Sequence, residues 1–274
     1  MSNELEYVLP KTQTLNVQLS RRDIKVQISE GGSGKINLVY LHGFNGFEEW
    51  PSFLEELEQD FHIYVPSHPG ISDSDGLDKI DDLWDLILFY EELINELNID
   101  NTVLIGHSYG GMIAAELASQ LGNRISKMIL VDSLGLWLNK KPIPDIFMLT
   151  PSERHEISWH NPYSEIAQFY ENSFYNGLNK DESNLERTKT LMAIGKFCWP
   201  IPDKGLKKRI HRINAPTLLV WGEHDRIVPP EYGHSFQRQI SGSTLAIIGD
   251  SGHIPHEESK PLFTETIRKF LINN

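Results

Sequence analysis

The stretch NTVLIGHSYGGMIAAELASQLG, residues 101–122, sets an apolar run against a Gly-His-Ser-Tyr-Gly-Gly turn and follows it with an alanine-rich segment of helical character. A strand, a tight glycine turn and a helix start serve two chemistries: they cradle a phosphate, or they present a serine nucleophile. Spacing separates the two. A Walker-type loop needs a lysine after its last glycine, and Met112 stands there. A dinucleotide fingerprint needs glycine where Ser108 stands, and a Cβ at that place obstructs backbone approach to a pyrophosphate. The GGSG at residues 31–34 precedes an apolar run instead of following one, so it reads as a turn. In Gly-x-Ser-x-Gly the strand reverses sharply into a helix, and small residues two before and two after the serine let the neighbouring backbones pass. Gly106 and Gly110 meet that demand and Gly111 adds room. The turn also puts Ser108 at a helix start, where N–H groups stabilise developing negative charge.

Outward from this turn, short β-branched runs alternate with turns and helical patterns, the signature of βα units around a mostly parallel sheet. Eight runs read as strands: TLNVQL, IKVQIS, INLVYL, HIYVP, TVLIG, KMILVD, PTLLVWG and TLAIIG. The segment KIDDLWDLILFYEELINEL predicts a helix with Ile80, Leu83, Trp84, Ile87, Ile94 and Leu97 on one face. Gly122 ends the helix after the serine turn, and PLFTETIRKFLIN predicts a closing helix. Residues 136–214 break the alternation: they carry no convincing strand but many aromatics, among them Trp137, Phe147, Trp159, Phe169, Tyr170, Phe174, Tyr175, Phe197 and Trp199. Such an excursion reads as a helical cap inserted at the carboxyl edge of the sheet, leaving residues 1–135 and 215–274 as the core domain. Most of these aromatics are expected to fill the cap's own small core.

Composition narrows the function classes. The 274 residues, 39% hydrophobic and 23% charged, suffice for one sizeable core. A formal charge of −13 opposes nucleic acid and anionic membrane surfaces alike. The opening residues carry two glutamates and no apolar h-region, and no later run has the length to cross a bilayer, so a soluble, cytoplasmic protein acting on a small molecule is expected. The one cysteine, Cys198, reads as a buried or incidental thiol.

A serine hydroxyl needs a base, and the base an orienting acid. VWGEHDRIVPP supplies Glu223, His224 and Asp225 after one strand, and IIGDSGHIPHEE supplies Asp250, His253 and His256 after the last. From LVYLHGFNG through GHSYGG to these two loops, the chain resembles the α/β-hydrolase fold superfamily over nearly its whole length. The resemblance implies an eight-stranded, mostly parallel sheet flanked by helices, with Ser108 as nucleophile, Asp225 as acid and His253 as base. His256 is then a decoy, Glu223 and His224 are loop neighbours, and Asp132 is the alternate acid, better read as a structural carboxylate. Within HGFNG, residues 42–46, the resemblance implies an oxyanion hole from the backbone N–H groups of Phe44 and Tyr109, with His42 structural. HPGISDSDG, residues 68–76, supports the same fold without adding chemistry.

The resemblance implies no cofactor, and a serine at the elbow argues against the family's epoxide hydrolases and dehalogenases, which need a carboxylate. A small or medium, partly apolar carboxylic ester is the expected substrate. Carbon–carbon hydrolases of ring-cleavage products, cofactor-free haloperoxidase or perhydrolase relatives, and slow-turnover ligand-binding receptors share these residues. No metal is expected: HEISWH, residues 155–160, spaces its histidines five apart, which on a helix turns the second roughly 140° away from the first. HIPH, residues 253–256, is short and offers no obvious further ligands.

Overall fold

A computed structural model describes residues 13–44, 50–173, 180–201 and 203–272. In chain order, β1 (Gln13–Leu19), β2 (Ile24–Gly31) and β3 (Ile36–Leu41) precede α1 (Ser52–Glu55) and β4 (Phe61–Pro66). Then come α2 (Leu83–Glu96), β5 (Thr102–His107), α3 (Tyr109–Leu121) and β6 (Ile125–Val131). Between β6 and β7 (Thr217–Gly222) run α4 (Pro151–Ser158), α5 (Glu165–Ser173) and α6 (Lys180–Cys198). The chain closes with α7 (Glu231–Gln239), β8 (Thr244–Ile248), α8 (Pro255–Glu258) and α9 (Lys260–Ile272).

All eight expected strands join one sheet in the order β1-β2-β4-β3-β5-β6-β7-β8. The pairs β1/β2 and β2/β4 are antiparallel and the others parallel. Period-2 alternation sorts the core into two layers. Val39, Leu41, Leu219 and Trp221 face the side covered by α2, α3 and α7. Leu38, Tyr40, Leu218 and Val220 face α1 and α9. Central parallel strands are thus apolar on both faces, which is why they read as continuous hydrophobic runs.

The face predicted for α2 needs correction. Asp82 caps the helix by accepting the Asp85 N–H at 2.9 Å, and Leu86, Ile87, Phe89, Tyr90, Leu93 and Ile94 are buried. Ile80 is buried as well, but Trp84 is 53% exposed. It falls in the first turn, on the side away from the stripe formed by Leu86, Tyr90 and Leu93.

Residues 136–214 contain no strand among those described. Their aromatics divide: Trp159 packs with Ala167, Ile254 and Tyr170, and Phe197 joins the main core, whereas Phe169 and Trp199 are exposed. Phe174 and Tyr175 lie outside the described residues. A half-buried ion pair fixes the return of this excursion to the sheet: Arg209 grips the buried Glu116 of α3 through Nε at 2.7 Å and Nη2 at 2.6 Å.

Candidate active site

Five neighbouring parallel strands, β3, β5, β6, β7 and β8, end on the same edge, and every site residue expected from the sequence follows one of them. At β5 the chain turns through Ser108, whose φ of 54° and ψ of −113° lie outside the ordinary regions for a non-glycine residue. The glycines permit the turn. A Cβ on Gly106 would stand 2.5 Å from Gly110 O, and one on Gly110 only 2.1 Å from Leu41 O. The ladder continues past the strand ends, with Ser108 N–H on Val131 O at 2.9 Å and Asp132 N–H on Val220 O at 3.0 Å. The reversal is therefore held from both sides.

Ser108, His253 and Asp225 form one hydrogen-bonded chain whose links join residues 145 and 28 positions apart in sequence. Ser108 Oγ lies 2.8 Å from His253 Nε2, and His253 Nδ1 lies 2.8 Å from Asp225 Oδ2. All three are buried. Asp225 Oδ1 also accepts the N–H groups of Ile227 at 2.8 Å and Val228 at 2.9 Å, so its orientation is fixed by its own loop. With Nδ1–H committed to Asp225, the free lone pair of the imidazole points at the serine hydroxyl, the arrangement a general base requires.

Neighbouring titratable groups are held neutral. His107 donates through Nε2 to His253 O at 2.8 Å; burial, then the nearby His256 and His253, keep its imidazole well below the usual range. His256 does not reach the serine: it packs edge-on to Phe53 and His107, and burial brings it down to about 3. Asp132 follows β6 and accepts the Gly222 N–H at 2.9 Å through Oδ1. Its Oδ2 receives no such donor, and its carboxyl lies against that of Asp225. Burial first, and Asp225 second, push Asp132 well above the carboxylate range. Asp132 accepts one N–H donor where Asp225 accepts two, which leaves burial of the Asp132 carboxyl less offset by hydrogen bonds. The polar atoms of Asp132, Asp225 and His253 lie within 4.8 Å of one another, so the raised Asp132 carboxyl stands directly beside the hydrogen-bonded chain. Cys198 is buried and pushed up to about 12 by that burial, which leaves no thiolate at neutral pH.

The loop after β3 runs directly beside Ser108. A Cβ on Gly43 would stand 2.7 Å from His107 Nδ1 and 3.3 Å from Ser108 Cβ, so glycine permits the approach. His42 O accepts both Gly110 N–H at 3.1 Å and His68 Nε2–H at 2.9 Å. His68 in turn pairs with Tyr90 through Nδ1. The HPGISDSDG loop therefore does more than support the fold, since its His68 anchors the loop that carries Phe44. Burial lowers His42 to about 4. Phe44 stacks on His253 with ring centroids 5.8 Å apart, and Tyr109 is the first residue of α3, where an N–H has no intrahelical acceptor. Asn45 and Gly46 of HGFNG lie outside the described residues.

Three contacts tie the 136–214 excursion to the loops bearing Asp225 and His253. Arg226 Nη2 donates to the carbonyls of Glu156 at 2.5 Å and Trp159 at 2.6 Å, at the carboxyl end of α4. His253 N–H donates to Ser158 O at 2.8 Å. Glu258 accepts from His160 N–H at 2.6 Å and Gly252 N–H at 2.7 Å. None of these contacts is legible in the sequence, because the partners of each lie on different elements far apart along the chain. Beside Phe44 opens a cleft of about 600 Å³, including its mouth, lined by Trp159, Tyr170 and Leu191 together with Arg154, His155 and Arg187.

Known proteins resemble the chain in sequence and in fold. A 2-hydroxy-6-oxononadienedioate/2-hydroxy-6-oxononatrienedioate hydrolase of Klebsiella pneumoniae is 28% identical over 291 residues, covering 99% of each chain. Among solved structures, a membrane phospholipase A superposes with a TM-score of 0.79 at 20% identity, over 95% of this chain and 86% of its own. An esterase from Exiguobacterium antarcticum does so with 0.75 at 22% identity, over 94% and 99%. Both likenesses are of fold. The model of the family described as the alpha/beta hydrolase family matches residues 38–265. With that match across most of its length and the eight-stranded sheet beneath it, the chain belongs to the α/β-hydrolase family.

Proposed function

We propose that the protein is a serine hydrolase that cleaves a small or medium, partly apolar carboxylic ester through an acyl-enzyme. The observation that carries this reading is the unbroken Ser108–His253–Asp225 chain, with 2.8 Å at each link. His253 Nε2 takes the Ser108 proton as Oγ attacks the acyl carbon, and then delivers it to the departing alkoxide. The negative Asp225 fixes the imidazole tautomer and stabilises its cation. The N–H groups of Phe44 and Tyr109 receive the oxyanion, the latter aided by the positive end of α3. Water, activated by the same imidazole, releases the acid. In this reading residues 136–214 are the cap. Ser108 and His253 have no exposed surface, so substrate enters as the cap segment shifts away from the loops it touches.

A second reading, hydrolysis of a carbon–carbon bond in a carboxylate-bearing ring-cleavage product, is favoured by the two arginines in the cleft beside Phe44. The Klebsiella pneumoniae relative is named for a dioate.

Turnover of short-chain nitrophenyl esters by wild type and Ser108→Ala tests the proposal, with a fall of at least about 10³-fold expected. Equal rates in the two overturn the nucleophile assignment. Faster consumption of a coloured vinylogous diketo acid than of any ester moves the function to the second reading. No turnover of either, with ligand-dependent thermal stabilisation, marks a binding protein.

A further inference from the structure

Outside the buried chain, one cluster brings together imidazoles and a carboxylate from three separate loops. His160 follows α4, His224 follows β7, and Asp250 follows β8. Their ligand atoms all lie within 4.8 Å of one another, and all three side chains are exposed. The two imidazoles stack with centroids 4.2 Å apart and 21° between planes. Glu223 Oε2 stands 3.7 Å from His224 Nε2 and adds negative potential.

We infer that His160, His224 and Asp250 form a binding site for a divalent first-row transition metal such as zinc, clasping the excursion to the core. Two imidazoles and one carboxylate suit zinc, cobalt, nickel or copper and not the oxygen-seeking magnesium or calcium. Three protein ligands leave a fourth position for water. The backbones that carry the ligands are already locked to one another. Glu258 holds the His160 N–H and the Gly252 N–H together, and His224 N–H donates to Ser251 O at 2.8 Å. Arg226 fixes the turn just before His160 through the Trp159 carbonyl. Only side-chain rotation remains for a metal to order. The placement has a consequence for the covered serine: His224 adjoins Asp225, and Asp250 lies three residues before His253. A cation bridging these loops to His160 holds the excursion closed over Ser108.

The expected histidine spacing missed this site for a specific reason. The spacing argument holds only on a helix, but α4 ends at Ser158 and Trp159 is extended with φ −103° and ψ 143°. His155 Nε2 instead donates to Pro162 O at 2.9 Å. His160 is thereby free of the helical register and meets His224.

Titration calorimetry of the full chain, freed of metal with EDTA, with zinc chloride tests the inference. Wild type is expected to bind one zinc with micromolar affinity, weakened at least tenfold in each of His160→Gln, His224→Gln and Asp250→Asn. Because the three side chains are exposed, the variants fold, and their unfolding temperatures without metal should match wild type. Zinc should raise the unfolding temperature of wild type alone, and cobalt(II) should give wild type alone a tetrahedral visible absorption band. These readouts are independent of hydrolytic activity. Zinc bound equally well by all four proteins, or by none, overturns the site.

Discussion

The assignment of the proton between Asp132 and Asp225 gives a sharp test by Asp132→Asn. A polar atom of Asp132 lies within 4.8 Å of one on His253, and both residues are fully buried. If Asp132 were ionised, it would stabilise the imidazolium of the transition state by 332/(20 × 4.8), about 3.5 kcal/mol at an effective dielectric constant of 20. Removing that charge would lower kcat/KM by roughly 300-fold. If Asp132 is the neutral, proton-bearing partner, asparagine keeps both of its contacts: the amide oxygen still accepts the Gly222 N–H, and the amide N–H replaces the acid proton against Asp225. The expected change is then less than about fivefold in kcat/KM and under about 1 kcal/mol in stability. The assay is ester hydrolysis at neutral pH across wild type, Asp132→Asn and Asp225→Asn, with urea unfolding of each. Asp225→Asn should fall by on the order of 10⁴-fold, the loss that the serine-protease template shows for the wrong tautomer. A loss of two orders of magnitude or more in Asp132→Asn, with stability intact, refutes the protonation assignment and moves the working acid to β6.

Other perturbations probe the scaffold. Gly110→Ala drives a Cβ to 2.1 Å from Leu41 O, so urea unfolding should show a loss of about 1–3 kcal/mol, and turnover should collapse as the start of α3 shifts. Gly122→Ala, with φ 55° but nothing within 4 Å, should lose about 1–2 kcal/mol with kcat unchanged. Arg209→Ala strands the buried Glu116 carboxylate at a cost of about 3 kcal/mol, whereas replacing Arg209 by methionine and Glu116 by leucine together should cost less; chemical denaturation of wild type and the two variants checks it. Burial, opposed by bonds from Tyr170 and Ser52, raises Glu257 from 4.5 to about 7. A raised acid favours its neutral form, so its penalty is absent below the unfolded value, grows as pH rises through the interval and is full above about 7. Glu257→Gln should thus match wild type in stability near pH 4 and exceed it by up to about 3 kcal/mol at pH 8; a difference independent of pH refutes the shift.

Sequence alone determined the architecture and the candidate site residues. The eight apolar runs became the eight strands because burial on one or both faces imposes a local pattern that each run carries by itself. The glycines of GHSYGG reported a steric demand that Gly106 meets within the turn itself and Gly110 meets against Leu41 O of β3, and Met112 excluded the phosphate loop from the sequence alone. Ser108, Asp225 and His253 were legible because each follows a strand that the parallel sheet delivers to one edge.

Only the tertiary structure decided what lies between those landmarks. The solvent-facing placement of Trp84 depends on where Asp82 starts the helix, and the end of α4 depends on Arg226, a residue 67 positions beyond the Trp159 carbonyl it binds. The neutral state of Asp132 arises from burial first and the neighbouring Asp225 second, and the anchoring of the Phe44 loop arises from His68 reaching His42 O. The meeting of His160 with His224 and Asp250 is likewise a product of the excursion folding back on the core. Periodicity and turn chemistry are short-range and print themselves on neighbouring residues. Proton sharing, loop anchoring and metal clasps join side chains from distant elements, and their partners are fixed only when the sheet and the excursion come together.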